Sequence, residues 1–201
     1  MLMDMTVKDF LAELASESPA PGGGSVSALA GSLAAALLSM VANLSAGVGD
    51  AEAVLKKSAA LKVSLERDVD ADTEAFNRVM GAYRLPKQTD GQKEKRAQAI
   101  QQALQDAALH PLKVARRCLD VMKLCRWAVT SGNPHALSDA GVASLMAQSG
   151  IRGALYNVEI NLKSIKDAEF KAEMEREREQ ILKEARALEE DIEEFLESRL
   201  S

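Results

Sequence analysis

Aromatic residues are scarce in this chain. They make up 3% of its 201 residues, whereas the hydrophobic share as a whole is 47%. The core is therefore expected to consist of closely packed aliphatic side chains, many of them alanine. The length fits one medium domain, 1–201, with a substantial core.

A surplus of basic residues is also missing. The chain has 25 Lys and Arg against 30 Asp and Glu, a formal net charge of −5. This balance argues against nucleic acid or an anionic membrane surface as the main partner.

Cysteine and histidine are too few to suggest metal chemistry. Cys118 and Cys125 lie seven residues apart inside a helical pattern, which places both thiols on one helix face. His110 and His135 have no partner at ligand spacing, so no metal site is predicted. Reduced core cysteines fit a cytoplasmic protein.

No strand pattern occurs, and six helical segments account for the periodicity. Thr6 is expected to cap the first, the second spans about 25–46, the third about 50–83, and the fourth begins near Gln92. Pro111 predicts a kink or a division of the fourth helix at His110. Ser138 is expected to cap a fifth helix ending near 165. The prediction is an all-α, up-and-down helical bundle with a buried central apolar helix.

The second helix carries the long apolar run "VSALAGSLAAALLSMVANLS". Its length raises the alternative of a membrane span. The segment before it is acidic, with Asp4, Asp9, Glu13 and Glu17, and lacks the basic region of a signal peptide. A helix that is apolar on all sides is more simply the centre of a soluble bundle.

The charged C-terminal segment, about 167–200, is a sixth helix with a heptad-like apolar seam. The seam comprises Ile181, Ala185, Leu188, Ile192 and Phe195. It either packs on its own bundle or forms a dimer contact.

Several polar residues lie on helix faces that should be apolar. Asn43 lies in the most hydrophobic helix, and Asn157 and Asn161 lie one turn apart in the fifth. Asp68 and Asp72 share a face of the third helix, where Asp72 borders the apolar stripe. A carboxylate placed there can serve as a general acid or base, and amides converging on it would make a small-molecule site. A solvated acidic face is the alternative.

The glycines of "PAPGGGS", Gly22, Gly23 and Gly24, precede the apolar helix. They can bring backbone N–H groups close to a ligand at the helix N-terminus, or make a structural turn. The motif lacks both the strand before and the lysine after that a phosphate-binding loop would have.

Five stretches in order resemble one family. They are "PAPGGGSVSALAGSLAAALLSMVANLS", "DVDADTEAFNRVMGAYRLPK", "HPLKVA", "GNPHALSDAGVA" and "GALYNVEINLKSI". Together they resemble the cyclodeaminase domain of formiminotransferase-cyclodeaminase and the stand-alone methenyltetrahydrofolate cyclohydrolases of the same family. The resemblance extends from about Thr6 to Ile165. It implies an all-helical, dimeric enzyme acting on the one-carbon unit of tetrahydrofolate.

The resemblance implies formimidoyltetrahydrofolate cyclodeaminase activity, which yields 5,10-methenyltetrahydrofolate and ammonia. The alternative is methenyltetrahydrofolate cyclohydrolase activity, which yields 10-formyltetrahydrofolate, and a non-catalytic folate-binding or scaffold protein remains open. No cofactor is implied beyond the reduced folate substrate, with or without a polyglutamate tail.

The family's catalytic aspartate corresponds to Asp72, as acid and base or as an anchor for the pterin. The resemblance also implies a set of substrate-binding residues: Gly22, Gly23, Gly24, Asn43, Lys87, Ser138, Asp139, Asn157 and Asn161. Lys87 would meet the glutamate tail. Ser138 and Asp139 have a structural alternative, because they also suit the first turn of any helix.

Overall fold

The computed structural model describes residues 1–200, which form six α-helices and two short 3-10 turns, without a β-strand. The helices are α1 (Val7–Leu14), α2 (Gly23–Leu44), α3 (Ala51–Tyr83), α4 (Asp90–Ser131), α5 (Leu137–Leu162) and α6 (Ala168–Leu200). The 3-10 turns are Leu2–Asp4 and Pro134–Ala136. The all-α prediction is confirmed, and each predicted boundary lies within a turn of the observed one.

Local sequence explains some of the helix starts. Thr6 caps α1, since its hydroxyl oxygen accepts a hydrogen bond of 3.1 Å from the backbone N–H of Asp9. Ser138 does not cap α5, so that prediction is wrong: the helix begins at Leu137 and has no side-chain cap. The Pro134–Ala136 turn leads directly into α5 and starts it one residue early. Asn133 caps that turn instead, accepting from the N–H of His135.

Pro111 does not divide α4, which runs unbroken from Asp90 to Ser131. The predicted division at His110 is therefore wrong. A proline removes one N–H from the helix ladder and leaves the carbonyl four residues earlier without its partner. That carbonyl belongs to Ala107, and the side-chain Nδ2 of Asn161 in α5 donates to it at 2.8 Å. A side chain from another helix thus replaces the missing donor.

The long helices run up and down. Ser25 near the start of α2 bonds Asp72 late in α3, whereas Ser39 near the end of α2 bonds Ser58 early in α3. The two helices are therefore antiparallel. α4 packs against all four other long helices and forms the centre of the bundle.

α2 is the largely buried apolar helix that was predicted, but it is buried on one face and not on every side. One face packs in the core, where Ala28, Ala34, Ala35 and Leu38 are fully buried. The opposite face exposes large apolar side chains, namely Val26, Leu33, Met40 and Leu44. In residues 1–200, α2 is the one helix long and apolar enough to cross a membrane, and 61% of its most apolar window is buried inside the bundle. Such burial is that of a core helix.

Small residues let α2, α4 and α5 approach closely. A Cβ on Gly31 would lie 2.4 Å from Cys118 Sγ, and one on Gly150 would lie 2.8 Å from the same sulfur. A Cβ on Gly153 would lie 2.4 Å from Ser27 Oγ. No larger side chain fits at these three positions without displacing a neighbour.

α6 packs on its own bundle. Met174, Ile181, Ala185 and Ile192 are buried and belong to the hydrophobic core shared by all six helices. Charged residues flank this seam, including Lys123–Glu184 at 3.1 Å and Arg126–Asp191 at 2.5 Å between α4 and α6. Exposed pairs of this kind contribute little stability each, so the apolar seam holds the helix in place.

We expect both cysteines to be unreactive in the folded protein. The pKa of Cys118 is raised to about 12, mainly by burial. The nearby Asp68 carboxylate contributes to this rise, and the Arg117 guanidinium partly offsets it. Burial likewise raises the pKa of Cys125. Because the thiolate is the reactive form, neither residue should react with Ellman's reagent at neutral to mildly alkaline pH.

The measurement is thiol titration of native and urea-unfolded protein. In the unfolded chain both thiols should react with the reagent. An Ala53→Cys variant, whose thiol would be exposed on α3, should react in the native state. Rapid reaction of the native wild-type protein would contradict the buried packing of the two cysteines.

Candidate active site

A cavity of about 380 Å³ opens where four helices meet. The N-terminus of α2, the middle of α3, the centre of α4 and the end of α5 form its walls. The lining residues are Pro19, Ala20, Gly22, Gly23, Gly24, Asp72, Ala75, Phe76, Val79, Leu104, Ala107, Asn157 and Asn161. Its size falls within the range of small-molecule sites, about 300–1,000 Å³. Among these lining residues, Asp72 is the only charged one.

Asp72 lies at the N-terminus of α2. Its Oδ2 accepts a hydrogen bond of 2.9 Å from the backbone N–H of Ser25 and lies 3.1 Å from Ser25 Oγ. The hydroxyl is also 2.9 Å from the carbonyl oxygen of Val69, one turn before Asp72 in α3. An anion at this position is stabilised by the partial positive charge of the helix end. The carboxylate is therefore fixed by α2 although it belongs to α3.

Gly24 makes this approach possible. A Cβ at that position would lie 2.0 Å from Asp72 Oδ1 and 2.5 Å from Asp72 Cγ. Any side chain there would displace the whole carboxylate. The requirement at "PGGGS" is thus a close approach at Gly24, and the helix end it exposes is occupied by an anion of the chain itself.

Two amide side chains of α5 face the same cavity. Asn157 Nδ2 donates to the carbonyl of Gly153 at 2.9 Å, and Asn161 Nδ2 donates to the carbonyl of Ala107 at 2.8 Å. Each amide uses one of its two N–H donors on a backbone carbonyl, and its carbonyl oxygen Oδ1 is left as a hydrogen-bond acceptor. Together with Asp72, they give the cavity a predominantly accepting character.

A partly buried ion pair lies one turn before Asp72 in α3. Asp68, one turn before Asp72, is 7% exposed, and its Oδ2 contacts the guanidinium of Arg117 in α4. His110 Nε2 lies 3.2 Å from the carbonyl oxygen of Asp68. Asp70 turns away and accepts from the N–H of Leu2. These contacts fix the stretch of α3 that carries Asp72.

The structure brings six of the predicted site residues to one cavity: Asp72, Gly22, Gly23, Gly24, Asn157 and Asn161. Asn43 is not among them. It is exposed in the last turn of α2, roughly 28 Å from Gly24 at 1.5 Å per residue.

Three further predicted residues also lie outside the cavity. Lys87 is exposed in the connection between α3 and α4, where its N–H bonds the side chain of Gln88. Ser138 lines a separate groove against Leu196 of α6. Asp139 lies in the first turn of α5, where its negative charge interacts favourably with the helix dipole.

Ser25 and Phe76 were not predicted as site residues. Ser25 is fully buried and fixes Asp72, and Phe76 offers an aromatic wall one turn after it. Serine at the start of a helix is ordinary, so only its cross-helix contact distinguishes it. Thr73, beside Asp72, has a buried hydroxyl with no hydrogen-bond partner among residues 1–200.

The described residues, 1–200, contain no group of three His, Cys, Asp or Glu side chains placed to hold a metal ion. What the cavity offers is one fixed carboxylate, two amide acceptors and an apolar wall. In a helical bundle, a few convergent polar groups in a largely apolar cavity are typical of a small-molecule site.

Comparison with known proteins agrees with that class. Residues 6–180 match the formiminotransferase-cyclodeaminase family. The chain is 43% identical to a methenyltetrahydrofolate cyclohydrolase of Methylorubrum extorquens over 98% of both chains. It is 34% identical to the rat formimidoyltransferase-cyclodeaminase over 92% of this chain and 36% of that protein. It also matches the crystal structure of formiminotetrahydrofolate cyclodeaminase from Thermotoga maritima, with a TM-score of 0.89 and 28% identity over the whole of both chains.

The chain therefore belongs to the formiminotransferase-cyclodeaminase family, and it is an enzyme of the cyclodeaminase and cyclohydrolase type. It spans about a third of the length of the rat protein, 36%, and nearly all of the bacterial cyclohydrolase.

We expect Gly24→Ala to disturb the helix cap that Asp72 provides. The new Cβ would force the carboxylate away from Ser25, at a cost of about 1–2 kcal/mol, the usual value of a lost cap. Gly81→Ala is the matched control, because a Cβ on that glycine of α3 meets nothing within 4 Å. It should stabilise by up to about 1 kcal/mol through helix propensity.

The measurement is urea-induced unfolding of the three proteins. Equal stability of the two alanine variants would contradict the close contact between Gly24 and Asp72.

Proposed function

We propose that the protein is a methenyltetrahydrofolate cyclohydrolase, which adds water to the methenyl bridge and yields 10-formyltetrahydrofolate. The observation that carries this proposal is the 43% identity over 98% of both chains with a cyclohydrolase. The identity to the rat bifunctional protein is lower, 34%, and covers 36% of its length. This assignment places the cyclohydrolase activity ahead of the cyclodeaminase activity that the motifs alone favour.

The reaction needs one group to move a proton. Water attacks the carbon between N5 and N10 and loses a proton, which gives a neutral tetrahedral adduct. Cleavage of the bond from that carbon to N5 then forms the formyl group on N10, while N5 gains a proton and the adduct's hydroxyl loses one. The sum is one water consumed and one proton released.

Asp72 is the group we assign to this proton transfer. Its Oδ2 is engaged by Ser25, whereas the carboxylate also faces the cavity. A carboxylate can take the proton of the attacking water and return one to N5. The methenyl bridge is a cation, and a fixed carboxylate in a partly apolar cavity would favour its binding.

The amides and the glycines have supporting roles. Asn157 and Asn161 would accept hydrogen bonds from ring N–H groups of the folate, and Gly22 and Gly23 would leave room for its plane. Phe76 would contact its apolar face. Lys87 stays a prediction for the glutamate tail, which would leave the cavity toward the loop after α3. No cofactor other than the folate is proposed.

The second candidate is formimidoyltetrahydrofolate cyclodeaminase. The full-length structural match to the Thermotoga maritima cyclodeaminase favours it. In that reaction N10 attacks the formimidoyl carbon and ammonia leaves, so the same carboxylate would take a proton from N10 and give one to the departing nitrogen. A folate-binding protein without turnover is the remaining alternative.

We expect purified protein to accelerate the loss of the methenyl absorbance when 5,10-methenyltetrahydrofolate is supplied. Asp72→Asn should lower kcat by about 10²–10⁴-fold, the range of a lost general acid–base. The amide can still accept the hydrogen bond from Ser25, so the fold should persist. The control is Asp70→Asn, which changes a neighbouring carboxylate of α3 that bonds Leu2 instead.

The outcomes separate the alternatives. A raised KM with unchanged kcat in Asp72→Asn would make Asp72 a pterin anchor. Growth of the methenyl absorbance from 5-formimidoyltetrahydrofolate, with no accelerated decay of the methenyl compound, would establish the cyclodeaminase. No enzyme-dependent change in absorbance with either substrate would overturn both activities.

We also propose that the enzyme is a cytoplasmic homodimer formed through α2 and α5. The two helices are antiparallel neighbours, because Gly23 lies beside Asn157 and Gly31 beside Gly150. α2 contains no charged residue and exposes Leu33 at 49%. α5 exposes Leu145, Tyr156 and Ile160. An apolar face of this kind on a soluble chain is typical of a subunit contact, and a second copy offers a matching one.

We expect light scattering to give twice the 21.6 kDa chain mass for the wild-type protein. Leu33→Glu should shift it toward the single-chain mass, because a charge would be buried at the contact. Val63→Glu is the control, since Val63 is 43% exposed on α3, outside this face. A monomeric wild-type protein at micromolar concentration would contradict the dimer.

A further inference from the structure

Pro111 lies inside α4, where a proline is costly, and yet the helix continues through it. The residue is buried, one turn after Ala107 of the cavity wall. Its local consequence is one carbonyl, that of Ala107, without an N–H from its own helix. Such a carbonyl must find another donor, because an unpaired buried acceptor is destabilising.

The donor comes from the cavity wall. Asn161 Nδ2 lies 2.8 Å from Ala107 O, and both residues line the cavity that contains Asp72. A carbonyl accepts only, so this contact fixes which end of the amide points at α4. The end left for a ligand is Oδ1. The rotation of Asn161 is therefore decided by a missing N–H in a different helix.

We propose that Pro111 is a positioning residue of the active site: by deleting one N–H from α4, it anchors the amide of Asn161 and presents Oδ1 to an N–H donor of the bound folate ring. The inference rests on the proposed folate site. With any other residue at 111, the helix would supply its own N–H to the carbonyl of Ala107, and that N–H would compete with Asn161 for the oxygen and weaken its anchor.

The chemistry of the cavity supports such a role. Asn157 is also held by its nitrogen, although the carbonyl that its Nδ2 bonds at 2.9 Å, that of Gly153, belongs to its own helix. Two amides held by their nitrogen atoms, beside the Asp72 carboxylate, form a set of acceptors. A ring that carries amino and ring N–H groups is the complementary partner. A freely rotating Asn161 would present a donor as often as an acceptor.

The experiment is a double-mutant cycle with Pro111→Ala and Asn161→Ala. In the wild-type background, Asn161→Ala should lower Tm, because it leaves Ala107 O unpaired. In the Pro111→Ala background it should leave Tm nearly unchanged, since the new N–H of residue 111 already bonds that carbonyl. Pro111→Ala alone should raise Tm, as alanine suits a helix interior far better than proline. This readout needs no substrate.

The second readout is the kinetics of methenyl absorbance decay. Pro111→Ala should raise KM about five- to tenfold, the equivalent of one hydrogen bond, with kcat changed less than about twofold. Combining it with Asn161→Ala should add little, because both changes remove the same oriented acceptor. Pro134→Ala is the matched control, a proline exposed at the start of the 3-10 turn before α5.

The two readouts test the Pro111–Asn161 coupling and the positioning role separately. Additive effects of the two substitutions on Tm would overturn the coupling between Pro111 and Asn161. Coupling in Tm with an unchanged KM in Pro111→Ala would overturn the positioning role and leave a purely structural contact. If the two substitutions are coupled in Tm but the wild-type protein shows no turnover, the proposed function is wrong, and the role of Pro111 toward folate is wrong with it. If Pro111→Ala failed to fold, Pro111→Ser, which also restores the N–H, would carry the same tests.

Discussion

The contact between the Asp72 carboxylate and the N-terminus of α2 is the constraint on which the site depends. It joins α3 to α2 through the N–H and hydroxyl of Ser25, and it demands a glycine at position 24. A negative charge at a helix N-terminus is favourable, so the contact stabilises the fold. The same carboxylate faces the cavity, where we propose that it transfers the proton of the reaction. Because the helix contact and the proposed proton transfer use the same carboxylate, a change at Gly24 or Ser25 is expected to alter both stability and activity.

The remaining walls follow from how closely the helices can pack. Gly31 and Gly150 pack directly against the side chain of Cys118, and Gly153 packs against that of Ser27. This close crossing of α2, α4 and α5 brings the last turns of α5 alongside the glycines that begin α2. A Cβ on Gly23 would lie 3.5 Å from Asn157 Nδ2. The small residues that look like an alanine-rich core in the sequence are thus what places the amides near the carboxylate.

At Pro111 and at Ser138, a neighbouring element overrides what the local sequence predicts. Pro111 interrupts the hydrogen-bond ladder of α4, and the freed carbonyl holds Asn161. The predicted division at His110 rested on the ordinary behaviour of proline, which takes no account of a donor from another helix. Ser138 gives a second example: its type suits a cap, but the turn at Pro134–Ala136 starts α5 one residue before it. In both cases a neighbouring element changed the outcome of a sound local rule.

The sequence by itself determined the helices, their approximate bounds, the aliphatic core and the prominence of Asp72, because helical periodicity and caps are local properties. It also identified Asn157 and Asn161, which stand out as polar residues one turn apart on an apolar helix. Only the tertiary structure decided that these meet Gly24 and Asp72, whereas Asn43, Lys87, Ser138 and Asp139 lie elsewhere. Helical spacing fixes the face on which a residue lies. Which faces meet, and at which level along the helix axes, depends on contacts between residues far apart in the chain, such as Ser25 with Asp72 and Asn161 with Ala107.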